Sequence, residues 1–163
     1  MKRIFCSLLA VMALGLWGWL GTGCDAQASD TAAADTNWLT DLPQGLAQAK
    51  AQHKLVLLDF TGSDWCAPCQ QLHKQVLATD KFKAYADKNL VLVLLDFPQK
   101  KSQPDDLKKA NEALQKQFAV EGFPTIILLD ADGKLLDKQL GYSGGDAGQF
   151  IARLDKSRNG IKN

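Results

Sequence analysis

The chain has 163 residues, 46% of them hydrophobic and 23% charged, with a net charge of +1. That length supports one domain with a real hydrophobic core, and the near-neutral balance argues against a nucleic-acid binder or a polybasic membrane surface. Four cysteines are too few for a disulfide-stapled scaffold, and a zinc ribbon would need a second CxxC.

In chain order, Lys2-Arg3 followed by the apolar stretch Ile4 to Leu20 has the basic region and hydrophobic core of a bacterial export signal over residues 1–23. Left uncleaved, the same segment is nearly long enough to anchor the chain in a membrane. Two cleavage sites compete. Leu20-Gly21-Thr22-Gly23-Cys24 resembles a lipobox that would make Cys24 a lipid-attachment site, although Gly21 stands where leucine is preferred. Ala26-Gln27-Ala28 is an ordinary small-x-small site. The lipobox is preferred because Cys24 has little other evident use, so the expected location is the periplasmic side, tethered to the membrane. A soluble periplasmic or secreted product is the alternative. Residues 24–36, rich in Ala, Asp, Ser and Thr, are expected to be a flexible linker.

The folded domain is expected over residues 37–160. Trp38 and Leu39 precede a helix over Leu42–His53, with Leu46 and Ala49 on its buried face and Trp38 packed beneath it. Leu55–Phe60 is apolar on both faces, as a central strand covered by helices should be. Trp65-Cys66-Ala67-Pro68-Cys69 then opens one long helix to about Ala86, with Leu72 and Val76, then Phe82 and Tyr85, at helical spacing. A second apolar strand, Leu90–Leu95, ends at Asp96, and Phe97 to Pro104 is a loop. A helix from Asp105 to Phe118 carries Leu107, Ala110, Leu114 and Phe118 on one stripe. Strands Thr125–Leu129 and Lys134–Leu140 flank Asp130-Ala131-Asp132-Gly133, which reads as a hairpin turn rather than a calcium loop, whose later ligands are missing. A last helix, Asp146–Lys156, buries Ala147, Phe150, Ile151 and Leu154. The expected class is α/β, a four-stranded mixed central sheet with helices on both faces.

Two cysteines three apart at the start of a helix can close a small disulfide ring. The free N–H groups and the helix dipole there favour a thiolate. A thiol of pKa about 8.5 is roughly 3% ionised at pH 7, and lowering it to about 7 makes half of it nucleophilic. Thiol–disulfide exchange needs that shift. Two other readings stay open: a purely structural disulfide, and a metal module in which His73 joins Cys66 and Cys69 to hold Cu(I) or Zn(II). The metal reading leaves Trp65 and Pro68 unexplained and lacks an evident fourth ligand, so no metal is assigned. Lys100, Lys101, Lys108 and Lys109 read as a solvated loop and helix face ahead of a docking patch for an acidic partner.

From Trp38 to the last helix the chain resembles the thioredoxin superfamily. Leu58-Asp59-Phe60 followed by Trp65-Cys66-Ala67-Pro68-Cys69 looks like its active-site strand and motif, and Gly122-Phe123-Pro124-Thr125 like the segment bearing its cis-proline. Within the superfamily, Phe60-Thr61-Gly62-Ser63-Asp64-Trp65-Cys66 resembles exported bacterial proteins and the C-terminal domain of membrane thiol-reductant transporters. The loop before Trp65 is one residue longer than in classical thioredoxins. The resemblance implies a thioredoxin-like fold in which Cys66, less covered than its partner, attacks and Cys69 resolves the mixed disulfide. It implies that Asp59, raised in pKa by burial, exchanges a proton with Cys69. Trp65, Pro68, Phe123, Pro124 and Thr125 would contact the substrate. Classical members carry a lysine on the strand beside that aspartate, and Leu90–Leu95 has none.

The expected activity is therefore protein-disulfide oxidoreduction on extracytoplasmic disulfides. Its redox group would be the Cys66–Cys69 pair, with no added cofactor and a membrane electron donor for re-reduction. Ala67-Pro68 lies close to the thioredoxin Gly-Pro, which favours a reductant over an oxidase or isomerase. Nothing in the sequence demands an oligomer, and a monomer is expected.

Overall fold

The computed structural model describes residues 38–160; the export segment 1–23, Cys24 and the linker to residue 36 lie outside the described residues. Helix α1 spans Leu42–Gln52, capped by the Asp41 carboxylate, which accepts from Gln44 N–H at 2.7 Å. It ends at His53, whose φ of 54° turns the chain into strand β1, Leu55–Thr61. Gly45 lets α1 lie close on the sheet, since a Cβ there would sit 2.7 Å from Val93 Cγ2.

The cysteine segment begins α2, Ala67–Leu72, which runs into one π-helical turn, His73–Leu77. The expected long helix is broken here. Thr79 is extended (ψ 146°) and its hydroxyl accepts from Phe82 N–H at 3.3 Å, starting a separate helix α3, Asp80–Asn89. Thr79-Asp80 is an N-cap followed by a first-turn acid, a start signal that the apolar periodicity on either side conceals.

Strand β2, Leu90–Asp96, is followed by α4, Asp105–Gln117, strands β3, Thr125–Leu129, and β4, Leu135–Leu140, and helix α5, Ala147–Asn159. The sheet order is β2-β1-β3-β4, with β1–β2 parallel and the other two pairs antiparallel. The β3–β4 connection is the expected hairpin: Asp130 Oδ1 accepts from the N–H groups of Asp132 and Lys134 at 3.0 and 2.9 Å. Beyond β2, Leu39 pairs with Val93, with Leu39 N–H donating to Leu92 O at 2.9 Å.

The period-two alternation of β1 sends Val56, Leu58 and Phe60 to a core with α1 and the C-terminal half of α4, and Leu57 to a core with Leu72, Phe82 and Phe150. Asp59 and Thr61 share the face of Leu57. Two expectations about packing change. Trp38 packs on the Leu57 side, opposite α1, because Leu39 is extended against β2 and neighbouring residues alternate faces. On α4, Ala110 is exposed and Asn111 takes the inward place beside Leu114 and Phe118, its amide donating to Asp96 O at 2.9 Å. Tyr85 on α3 donates to Asp155 on α5 at 2.8 Å; burial and then the Asp155 carboxylate push its phenol up to about 12.

Candidate active site

The site forms where β1 ends and α2 begins. Cys66 is the N-cap of α2, and its sulfur accepts from Cys69 N–H at 3.3 Å. Pro68 occupies the first turn, where no intrahelical donor is needed. Cys66 and Cys69 are joined in a disulfide with Cα atoms 5.3 Å apart. Their exposures are 4% and 3%, so the two are not separated by coverage as expected. They differ in what they face. Cys66 stands at the cap, whereas Cys69 lines a cavity of about 320 Å³ together with Asp59, Thr61, Ser63, His73 and Leu94.

Asp59 lies on the floor of that cavity, 4% exposed, and its Oδ1 has no hydrogen-bond partner. Its neighbours across the sheet are Leu94 on β2 and Ile126 on β3, both apolar. Burial pushes its carboxyl up to about 7, and the negative charge of Asp96 adds to the effect. Asp96 shares this face of the sheet because Leu92, Leu94 and Asp96 alternate with the residues that point the other way. A carboxyl that changes charge near neutrality, in one cavity with the inner cysteine, can take a proton from that thiol and return it.

Phe123–Pro124 is a cis peptide bond, and Pro124 is buried with its carbonyl accepting from Gly141 N–H at 2.7 Å. Thr125 is fully buried and its hydroxyl donates to Gly122 O at 2.7 Å. Its hydroxyl thereby closes this turn beside the cis-proline. Phe123 faces Trp65 edge-on, with ring centroids 5.8 Å apart. Trp65 is 38% exposed, lies over Gly62 and donates its indole N–H to Phe97 O at 2.8 Å. Any Cβ at Gly62 would strike the indole, so only glycine seats it there.

Sequence reading missed the residues that hold this loop. The Asp64 carboxylate accepts from the backbone N–H groups of Gln99, Lys100 and Lys101 at 3.0, 2.8 and 3.0 Å, and these bonds lower its pKa. Ser63 donates to Asp96 through both N–H and Oγ, at 2.9 and 2.6 Å. Ser63 and Asp64 thus clamp the cysteine loop to the end of β2 and the segment after it. Local sequence holds no sign of it, because the partners are more than thirty residues apart. Among the described residues no group of three or more His, Cys, Asp or Glu side chains is placed to hold a metal ion.

A family model described as a thioredoxin-like domain matches residues 42–158. The disulfide bond reductase DsbH of Chlamydia pneumoniae is 36% identical over 128 residues, 78% of this chain and 76% of that protein. The thiol:disulfide interchange protein DsbD of Klebsiella pneumoniae is 31% identical over 148 residues, which is 91% of this chain but 23% of that longer protein. A solved structure of a DsbH oxidoreductase superposes with a TM-score of 0.70 at 36% identity, covering 80% of this chain and 90% of its own. The C-terminal domain of Neisseria meningitidis DsbD in its oxidised form shares the fold, with a TM-score of 0.55 at 20% identity over 74% of this chain and 99% of that one. With the mixed sheet, the cysteine pair at the start of α2 and the cis-proline turn in place, the chain belongs to the thioredoxin-like family.

Proposed function

We propose that this protein is an extracytoplasmic thiol–disulfide oxidoreductase that reduces disulfides in other proteins and is re-reduced by a membrane electron donor. The observation that carries the reading is the Cys66–Cys69 pair at the start of α2, with Cys69 sharing a cavity with a buried carboxyl that titrates near 7. In the reduced form the Cys66 thiolate attacks a substrate disulfide, and one substrate sulfur leaves as a thiolate. Cys69 passes its proton to Asp59 and attacks the Cys66 sulfur. The second substrate thiol is released and Cys66–Cys69 closes, so two electrons have moved to the substrate. Trp65, Pro68, Phe123 and the backbone around Pro124 form the rim on which the substrate lies, and the dithiol is the redox group.

The direction is supported by the Ala-Pro spacing residues and by similarity to a protein named a disulfide bond reductase. Export and tethering through Cys24 rest on the N-terminal pattern, and a single copy is the expected working unit. Among the described residues no helix is long and apolar enough to cross a membrane. The equilibrium reduction potential of the pair tests direction: near or below about −230 mV upholds a reductant, whereas about −120 to −180 mV replaces it with an oxidase or isomerase. Cys66→Ser should abolish insulin reduction and Cys69→Ser should accumulate mixed disulfides. Full activity in the Cys66 variant would overturn the mechanism.

A further inference from the structure

Beside the cysteine pair, on the α4 side of Trp65, lies a second concavity of about 560 Å³. One wall is aromatic: Phe97 lies 5.0 Å from Phe123, which stands edge-on to Trp65. The other wall is formed by the loop after β2 and the start of α4, and it presents Lys101 and Lys108 with Asp105 as the one carboxylate. Both lysines are exposed, and neither is among the ion pairs of the described residues. Asp64, the nearest acid on the cysteine loop, is engaged by three backbone N–H groups of the loop itself. The groove therefore combines an apolar wall with an excess of unpaired positive charge. It is held in shape by the Asp64 clamp and is continuous with the residues next to Cys66 and Pro124.

We propose that this groove selects the substrate: it receives the stretch of a protein disulfide substrate next to the attacked cysteine when that stretch carries an aromatic side chain beside an acidic one. The aromatic residue lies against Phe97 and Phe123 while the carboxylate sits between Lys101 and Lys108. Of the four lysines read as a solvated face or a docking patch, Lys101 and Lys108 line the groove and Lys100 and Lys109 do not.

This inference rests on the dithiol reading, and the test separates the two. Reduced full-length chain is given two peptide disulfides identical except for Phe-Glu or Phe-Lys beside the cystine. The ratio of their kcat/KM values is taken within each protein, so overall activity cancels. Wild type should favour the acidic peptide roughly fivefold at low salt, with the preference fading as ionic strength rises. Lys101→Gln with Lys108→Gln should bring the ratio to one, and Lys101→Glu with Lys108→Glu should invert it. A ratio of one in wild type, or one unchanged in both double variants, overturns the groove. Turnover of hydroxyethyl disulfide by wild type tests the dithiol chemistry apart from the groove. Calorimetric titration of the two peptides into the Cys66→Ser, Cys69→Ser chain tests the groove apart from the chemistry: the same charge preference upholds it, and equal binding overturns it.

Discussion

Asp59→Asn gives the sharpest test of the electrostatics under the cysteine pair. The carboxyl titrates near 7 in the folded chain, against its ordinary value of 3.8. The folded state thus binds this proton more tightly than the unfolded state does. Between pH about 4 and 7 the folded state carries more protons, so the contribution of Asp59 to stability falls as pH rises. Below that window the penalty is absent; above it the penalty is complete. At about 1.36 kcal/mol per pH unit, the span from 3.8 to about 7 corresponds to about 4 kcal/mol. The wild-type chain should therefore gain on the Asp59→Asn variant as pH is lowered from 8 to 4, by an amount on the order of 4 kcal/mol.

The assay is urea unfolding of the two oxidised proteins at half-unit steps from pH 4 to pH 8. Every other titrating group is common to both, so the difference reads Asp59 together with its coupling to Asp96. The neutral amide that replaces the carboxyl in the variant meets the same apolar neighbours at every pH, so its packing cost shifts the whole curve without changing its slope. A difference curve that is flat across this range would refute the reasoning, whatever its height. In the reduced protein the same substitution should slow release of the second substrate thiol. Mixed disulfide should accumulate at neutral pH, and the rate profile should lose its limb near pH 7.

Gly62→Ala should displace the Trp65 indole, visible as a change in tryptophan emission, and lower peptide turnover more than turnover of hydroxyethyl disulfide. Asp64→Ala removes the acceptor for three loop amides; hydrogen exchange at Gln99–Lys101 should quicken while that of β1 stays slow, and unchanged exchange would mean the clamp does not hold the loop. Phe82→Ala empties a fully buried site facing Phe150 across 5.8 Å and should cost about 3–5 kcal/mol in denaturant unfolding. A loss under about 1 kcal/mol would mean that the α3–α5 core re-forms around the gap.

Much of this protein was written in local pattern. The apolar runs Leu55–Phe60, interrupted by Asp59, and Leu90–Leu95 have the length and both-faced apolarity of strands covered by helices, and β1 and β2 contain them. The hairpin turn at Asp130–Gly133, the last helix and the cysteine pair at a helix start each depend on residues a few positions apart, so sequence alone was enough for them. The tertiary structure decided what depends on distant partners. Thr79 interrupts a helix that periodicity would continue, because a side-chain cap and a change of packing face outweigh local propensity there. Asp59 was legible as a candidate, but its poise near neutrality comes from Leu94, Ile126 and Asp96 gathered around it by strand register. The burial of Thr125 and the bond from its hydroxyl to Gly122 O likewise come from the fold around the cis-proline turn. Ser63 and Asp64 were legible only as part of the motif before Trp65, and folding alone brings them to Asp96 and to the amides of residues 99–101. Hydrogen bonds and charges act through a few ångströms of space, and chain positions thirty residues apart reach that range only once the sheet has set their registers.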